Sequence, residues 1–181
     1  MESARDAQPS SPALLTLGGG LLGSLPSGFA HDLSRTELGV GEKVFRAGRD
    51  AFRRWEQFDL GWVRVANQRP AILTGELVAV EAHTAIFWSI NFSRITETVD
   101  TGVCFGFVYT TTAIHVEEGQ ERFVLEFDAD SGCVSYLIEA VSRPRHFLAR
   151  MAYPFSRAMQ HRFARDSVNR MRRAVLGITK P

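Results

Sequence analysis

The segment His115-Val116-Glu117 sets an imidazole and a carboxylate two residues apart. On a strand that spacing puts both side chains on one face, sharing parity with Glu121 and Phe123. In a partly dry pocket such a pair is a general base with its orienting partner, so His115 and Glu117 are the candidate catalytic residues. The same residues also sit close to Gly119, and a hairpin there would turn them toward water or a pocket rim. Both readings stand at this level. Trp62, Trp88, Tyr109 and Tyr136 combine an apolar body with a polar tip, the chemistry of a small-molecule wall, and they serve a plain core equally well. Arg143, Arg145 and His146 flank Pro144. Two guanidinium groups there would clamp a carboxylate or phosphate, or else pair with Glu139 and other acids of the sheet, which is the favoured reading. With Asn91 included, the candidate ligand-contact set is Trp62, Trp88, Asn91, Tyr109, Tyr136, Glu139 and Arg143.

Other chemistries lack their residues. The two cysteines, Cys104 and Cys133, match no zinc spacing and are expected as free buried thiols, although a bridge between neighbouring strands is geometrically open. No metal or cofactor is expected. No Gly-x-Ser-x-Gly elbow is present. Gly18-Gly19-Gly20 lacks the entering strand and leaving helix of a phosphate-binding loop.

The elements that must position these residues begin with composition. The chain has 181 residues, 45% hydrophobic and 23% charged, with net charge +1, which suits one folded domain and excludes disorder and a coiled coil. No run approaches the ~18 apolar residues of a membrane-spanning helix. Ala13 to Leu17 resembles the core of a signal peptide, but Glu2, Arg5 and Asp6 give the preceding segment the wrong sign, so a cytoplasmic location is expected. Residues 143–181 hold ten basic residues against Asp166, a net +9, while 1–142 carry −8. The favoured reading is a basic helix lying across an acidic sheet. Nucleic acid is not an expected partner, because no reading motif accompanies the arginines. An anionic membrane surface suits a basic amphipathic helix somewhat better, as a weaker interaction reading.

Residues 1–30, rich in Ser, Pro and Gly, read as a flexible or partly ordered lead-in to a single domain over 31–181. From Glu42 to Trp55 apolar residues recur every three or four positions, which predicts a helix. Gly75–His83, Ala85–Val99, Val103–Thr112, Glu121–Asp128 and Cys133–Val141 read as successive strands. Asp100-Thr101-Gly102, Glu117-Glu118-Gly119 and Asp130-Ser131-Gly132 read as the turns between strands. Such short connections demand an antiparallel meander. A stripe from Leu148 through Met151, Phe155, Met159, Phe163 and Met171 to Val175 predicts a long final helix, with Pro154 inside it, kinking it or separating a first turn from the main body. A curved sheet cannot bury its concave face alone. A helix across it, filling it incompletely, would leave an internal cavity.

Six segments together resemble a known family: Phe58-Asp59-Leu60-Gly61-Trp62, Phe87-Trp88-Ser89-Ile90-Asn91, Phe105-Gly106-Phe107-Val108-Tyr109, His115-Val116-Glu117, Ser142-Arg143-Pro144-Arg145-His146 and Phe163-Ala164-Arg165-Asp166-Ser167. The family is the bacterial and plant domain of unknown function nineteen-ninety, and the resemblance runs from about Gly23 to Val175. It is in turn similar to the START-like, or SRPBCC, superfamily. The resemblance implies an α+β helix-grip fold, a curved antiparallel sheet wrapped around a long C-terminal helix. It also implies a small apolar ligand of lipid, polyketide or terpenoid type, or, in a minority of such proteins, cofactor-independent cyclisation or dehydration. The family usually has a glycine after the tyrosine and Pro-Gly before the histidine, where this chain has Thr110, Ala113 and Ile114. That departure is expected to stiffen and reshape the loop.

Overall fold

The computed structural model describes residues 8–11, 13–83, 88–115, 117–145 and 153–177. A two-residue-per-strand hairpin, β1 (Leu15–Thr16) and β2 (Gly20–Leu21), precedes the long strand β3 (Ala30–Val40). Helix α1 (Glu42–Arg53) and a single 3-10 turn (Glu56–Phe58) follow. Then come β4 (Val63–Val65), β5 (Leu77–His83), β6 (Trp88–Asp100), β7 (Cys104–Thr111), β8 (Glu117–Phe127) and β9 (Cys133–Pro144). Helix α2 (Tyr153–Val175) is the last described element. Strands β3 to β9 form one antiparallel seven-stranded sheet in the order β3-β9-β8-β7-β6-β5-β4. The first strand of the sheet thus returns beside the last, and the meander between them curls. Register shifts at Glu37/Gly39 in β3 and Ile95/Glu97 in β6 add local bend and twist. The result is the expected α+β helix-grip fold.

One assigned turn is corrected. Glu117-Glu118-Gly119 lies inside β8, where Gly119 pairs with Ser142 and Glu117 with Pro144. Its glycine answers a close approach instead of a turn: a Cβ at Gly119 would sit 2.1 Å from the Val141 carbonyl oxygen. The reversal comes earlier, at residues 113–115. Leu148 and Met151 of the predicted helical stripe lie outside the described residues, and Pro154 falls in the first turn of α2.

Side chains alternate across β7, β8 and β9. Phe105, Phe107 and Tyr109, with Phe123, Leu125 and Phe127 and with Val134, Tyr136 and Ile138, all face the concave side. Helix α1 buries Phe45, Ala51 and Phe52 against one end of that face. Trp55, in left-handed conformation (φ 58°), stops the helix and swings Phe58 into the same core. Trp55, Phe58, Phe107, Phe123 and Phe163 interlock with ring centroids 5.2–6.1 Å apart. Polar ties fix α2 along its length. Arg157 pairs with Asp32, Trp62 donates to Asp166 at 3.0 Å, the Tyr136 and Ser167 hydroxyls lie 2.8 Å apart, and Arg170 pairs with Glu56. Arg162 and Arg165 also reach Asp166, so much of the helix's basic charge is met within the fold.

On the convex side the β1–β2 hairpin lays Leu14 and Leu15 over Val108 and Val141. The Gln120 side chain accepts from both leucine N–H groups, at 2.6 and 2.8 Å. Cys104 and Cys133 are free thiols, on β7 and β9 with β8 between them. Among the described residues no helix is long and apolar enough to cross a membrane.

Candidate functional site

Cross-strand rows on the concave face change character along the sheet. Thr36, Tyr136, Leu125 and Phe105 form one row, and Ser34, Ile138, Phe123 and Phe107 form the next. The third row is Asp32, Ala140, Glu121, Tyr109 and Ile95, and it carries two carboxyls. Helix α1 and the aromatic cluster fill the space over the first rows. Over the third row the space stays open, a cavity of about 520 Å³ between sheet and α2. Phe58, Trp62, Val80, Ile138, Met159 and Phe163 give it apolar walls, and Asp32, Asn91, Tyr109, His115, Glu117, Glu121 and Gln160 bring polar groups to it.

Strand β6 explains how the polar side arises. Ser89, Asn91 and Ser93 point into the cavity, whereas Trp88 and Ile90, of opposite parity, are 64% and 56% exposed. The usual apolar-in, polar-out alternation is reversed in this stretch.

At the centre of the third row the Tyr109 hydroxyl donates to Glu121 Oε2 at 2.8 Å. Burial, together with the charges of Glu117 and Asp32, lifts the Glu121 carboxyl from 4.5 to about 7, against the pull of the tyrosine hydrogen bond. Burial likewise raises the Tyr109 phenol well above its ordinary value, so it stays protonated and donating. Glu117, two pleat repeats nearer the strand's start, is also raised by burial. Its carboxyl takes hydrogen bonds from Gln160 of α2 at 3.1 Å and from Ser142 and Ser156. Asp32 is the carboxyl with a cationic partner, Arg157, at 2.6 Å.

His115 lies in the turn leading to β8. Its Nδ1 accepts the backbone N–H of Glu117 at 3.0 Å, and burial, helped by Arg145, lowers the ring from 6.5 to about 4. The imidazole is therefore neutral at pH 7, with its proton on Nε2. The expected pairing of His115 with the Glu117 carboxylate is not formed; the contact runs through the Glu117 backbone.

Of the nine residues singled out from sequence, Trp62, Asn91, Tyr109, His115 and Glu117 line the cavity together. The other four do not reach it. Trp88 has the outward parity of β6 and stacks on His83, centroids 4.6 Å apart. Tyr136 faces inward but is sealed beneath α1, edge-on to Phe52 at 5.5 Å. Glu139 and Arg143 occupy the convex phase of β9. Glu139 is buried with Arg122 at 2.7 Å and His31 at 2.9 Å. Arg143 pairs with Glu118 at 2.9 Å and covers the Phe29 ring. Sequence reasoning passed over Asp32, Glu121 and Gln160. Glu121 was within reach, as the one glutamate in the otherwise apolar phase Glu121, Phe123, Leu125, Phe127. Among the described residues no cluster of His, Cys, Asp and Glu is arranged to hold a metal ion.

Comparison with known proteins gives a consistent picture. The family model described as "Domain of unknown function (DUF1990)" matches residues 16–170. A UPF0548 protein of Dictyostelium discoideum is 34% identical over 160 residues, covering 82% of this chain and 74% of that protein. A UPF0548 protein of Arabidopsis thaliana is 27% identical over 146 residues, covering 77% and 70%. Among solved structures, the Zhui aromatase/cyclase of Streptomyces superposes with a TM-score of 0.55 at 13% identity, over 81% of this chain and 93% of that one. The Thermus thermophilus protein TTHA0849 does so with 0.54 at 7% identity, over 83% and 100%. These two likenesses concern the fold alone.

Proposed function

The chain belongs to the DUF1990 family, and from the chemistry of its hollow we propose that it binds a small, largely apolar organic molecule between the sheet and α2. The observation that carries this is the cavity itself. At about 520 Å³ it falls in the usual range for small-molecule sites, with mostly apolar walls and a few convergent polar groups. Trp62 forms wall, while Asn91, Tyr109, His115 and Glu117 orient the ligand's polar groups. Titration with a neutral naphthylamine dye tests the reading. Wild-type protein is expected to bind one dye per chain with enhanced fluorescence. Ala82→Trp, which fills the cavity from β5, is expected to abolish that signal while keeping a cooperative unfolding transition. Equal binding by both proteins would place the dye elsewhere and sink the reading.

A specific feature favours a second reading, a cofactor-independent dehydratase or cyclase. A carboxyl lifted to about 7 beside a phenol gives and takes a proton near neutrality. The Glu121 carboxylate would take the α-proton and return it to the β-hydroxyl, which leaves as water as the α,β double bond forms. Turnover of a β-hydroxycarbonyl compound that is lost in Glu121→Gln, with dye affinity intact, supports it. Wild-type binding of such compounds without turnover counts against it.

A further inference from the structure

The charge balance of the cavity wall is one-sided. Asp32, Glu117 and Glu121 line it from β3 and β8, and among the described residues no lysine or arginine lines it. Asp32 is met by Arg157 of α2. Among the described residues Glu117 and Glu121 have neutral hydrogen-bond donors: Gln160, Ser142 and Ser156 for the first, Tyr109 for the second. Among the described residues Tyr109 is the one hydrogen-bonding partner of the half-buried Glu121, and it occupies Oε2, leaving Oε1 for the hollow.

Building on the small-molecule reading, we propose that the ligand carries a protonated amine, seated between Glu121 and Glu117, with its apolar body along Trp62, Val80 and Phe163. A carboxylate or phosphate in the same place would meet the like charges of Glu121 and Glu117 in a poorly screened space, with the Arg157 guanidinium already engaged by Asp32. A cation does the reverse. It supplies the charge-assisted hydrogen bonds that the wall leaves unmade, and it relieves the mutual repulsion of Asp32, Glu117 and Glu121. The neutral His115, presenting Nε2–H, does not compete for the cation's place. The groups facing the seat are thus Asp32 from β3, Tyr109 from β7, Glu117 and Glu121 from β8, His115 from the preceding turn, and Arg157, Gln160 and His161 from α2. Among the described residues two positive charges lie near it: Arg157, turned toward Asp32 and also acting on Glu117, and Arg145, which acts on His115.

Displacement of the neutral dye by decylammonium, decanol and decanoate, each below its aggregation threshold, tests the proposal on the full chain at pH 7.5. Decylammonium is expected to bind at least about tenfold tighter than decanol, as a charge-assisted contact implies, with decanoate the weakest. Glu121→Gln with Glu117→Gln is expected to bring decylammonium within about threefold of decanol while decanol affinity holds, which shows an intact cavity. Decanoate binding as tightly as decylammonium, or an amine preference that survives both substitutions, overturns the proposal and leaves the cavity reading standing. If the dye itself binds equally to wild type and Ala82→Trp, both readings fall.

Discussion

Replacing Glu121 by glutamine alters how stability responds to pH, by an amount the cavity geometry sets. In the folded chain burial and the neighbouring acids Glu117 and Asp32 hold the Glu121 proton up to about pH 7, whereas an unfolded glutamate releases it near 4.5. The native state binds this proton more tightly. The stability it contributes is therefore fully present below pH 4.5 and is lost as pH rises through about 7. At about 1.4 kcal/mol per tenfold change in proton affinity, the loss is about 3 kcal/mol, an upper bound for a carboxyl that faces the hollow. Glutamine keeps the shape and the acceptor for Tyr109 but has nothing to ionise. Urea unfolding followed by tryptophan fluorescence at pH 4.5, 6 and 8 measures the difference. Glu121→Gln should match wild type at pH 4.5 and exceed it at pH 8 by up to about 3 kcal/mol, with unchanged m-values. Curves for the two proteins that stay parallel from pH 4.5 to 8 would show that Glu121 is solvated like any surface acid, and the buried polar row would lose its basis.

His115 should give the opposite slope. Its ring is held down to about 4, so the native state resists protonation, and stability present above pH 6.5 is lost as pH falls toward 4. His115→Gln, compared with wild type by the same unfolding titration, is expected to flatten that acid limb. On the convex face Arg122 and Glu139 are 7% and 4% exposed at the side chain and 2.7 Å apart. Glu139→Ala removes the nearer carboxylate of the buried Arg122 guanidinium, leaving Glu126 at 4.0 Å, and is expected to cost about 3 kcal/mol in denaturant unfolding, with dye affinity unchanged in the folded protein. Phe58 forms cavity wall and core together. Phe58→Ala is expected to lower stability by about 3–5 kcal/mol and to admit ligands one ring larger, read by displacement with a naphthyl and an anthracenyl amine.

Much of the fold was legible because its local signals agree. The α1 stripe from Val44 to Phe52, the Asp-x-Gly turns at 100–102 and 130–132, and the alternation at Phe105, Phe107 and Tyr109 all point to elements that exist. A meander of short connections leaves few arrangements other than a curled antiparallel sheet. The candidate site was half legible. Tyr109 and Glu117 could be placed by parity, since one face of β7 and β8 is plainly apolar. Trp88 misled because β6 turns its polar phase inward and its apolar phase outward, so the rule that places aromatics inside fails where the interior is a polar-ended cavity. Tyr136 shows a second limit. Its direction is readable, but its depth beneath α1 depends on where the helix lands, which no local pattern contains. Glu139 and Arg143 occupy the phase of β9 opposite to Ile138 and Ala140. Their partners, Arg122 and Glu118, lie on β8, and pairing them needs the register. The juxtaposition of Asp32 with Glu121 went unseen for the same reason: the two are 89 positions apart and meet only through Ala140 between them.

A crystal structure of the chain grown with decylamine puts the central claim to its most direct test. The account predicts continuous ligand density between β7–β8 and α2, its nitrogen within hydrogen-bond distance of Glu121 Oε1 and its chain along Trp62 and Phe163. Side chains collapsed into that space, or density confined to the outer surface with the hollow closed, would contradict it.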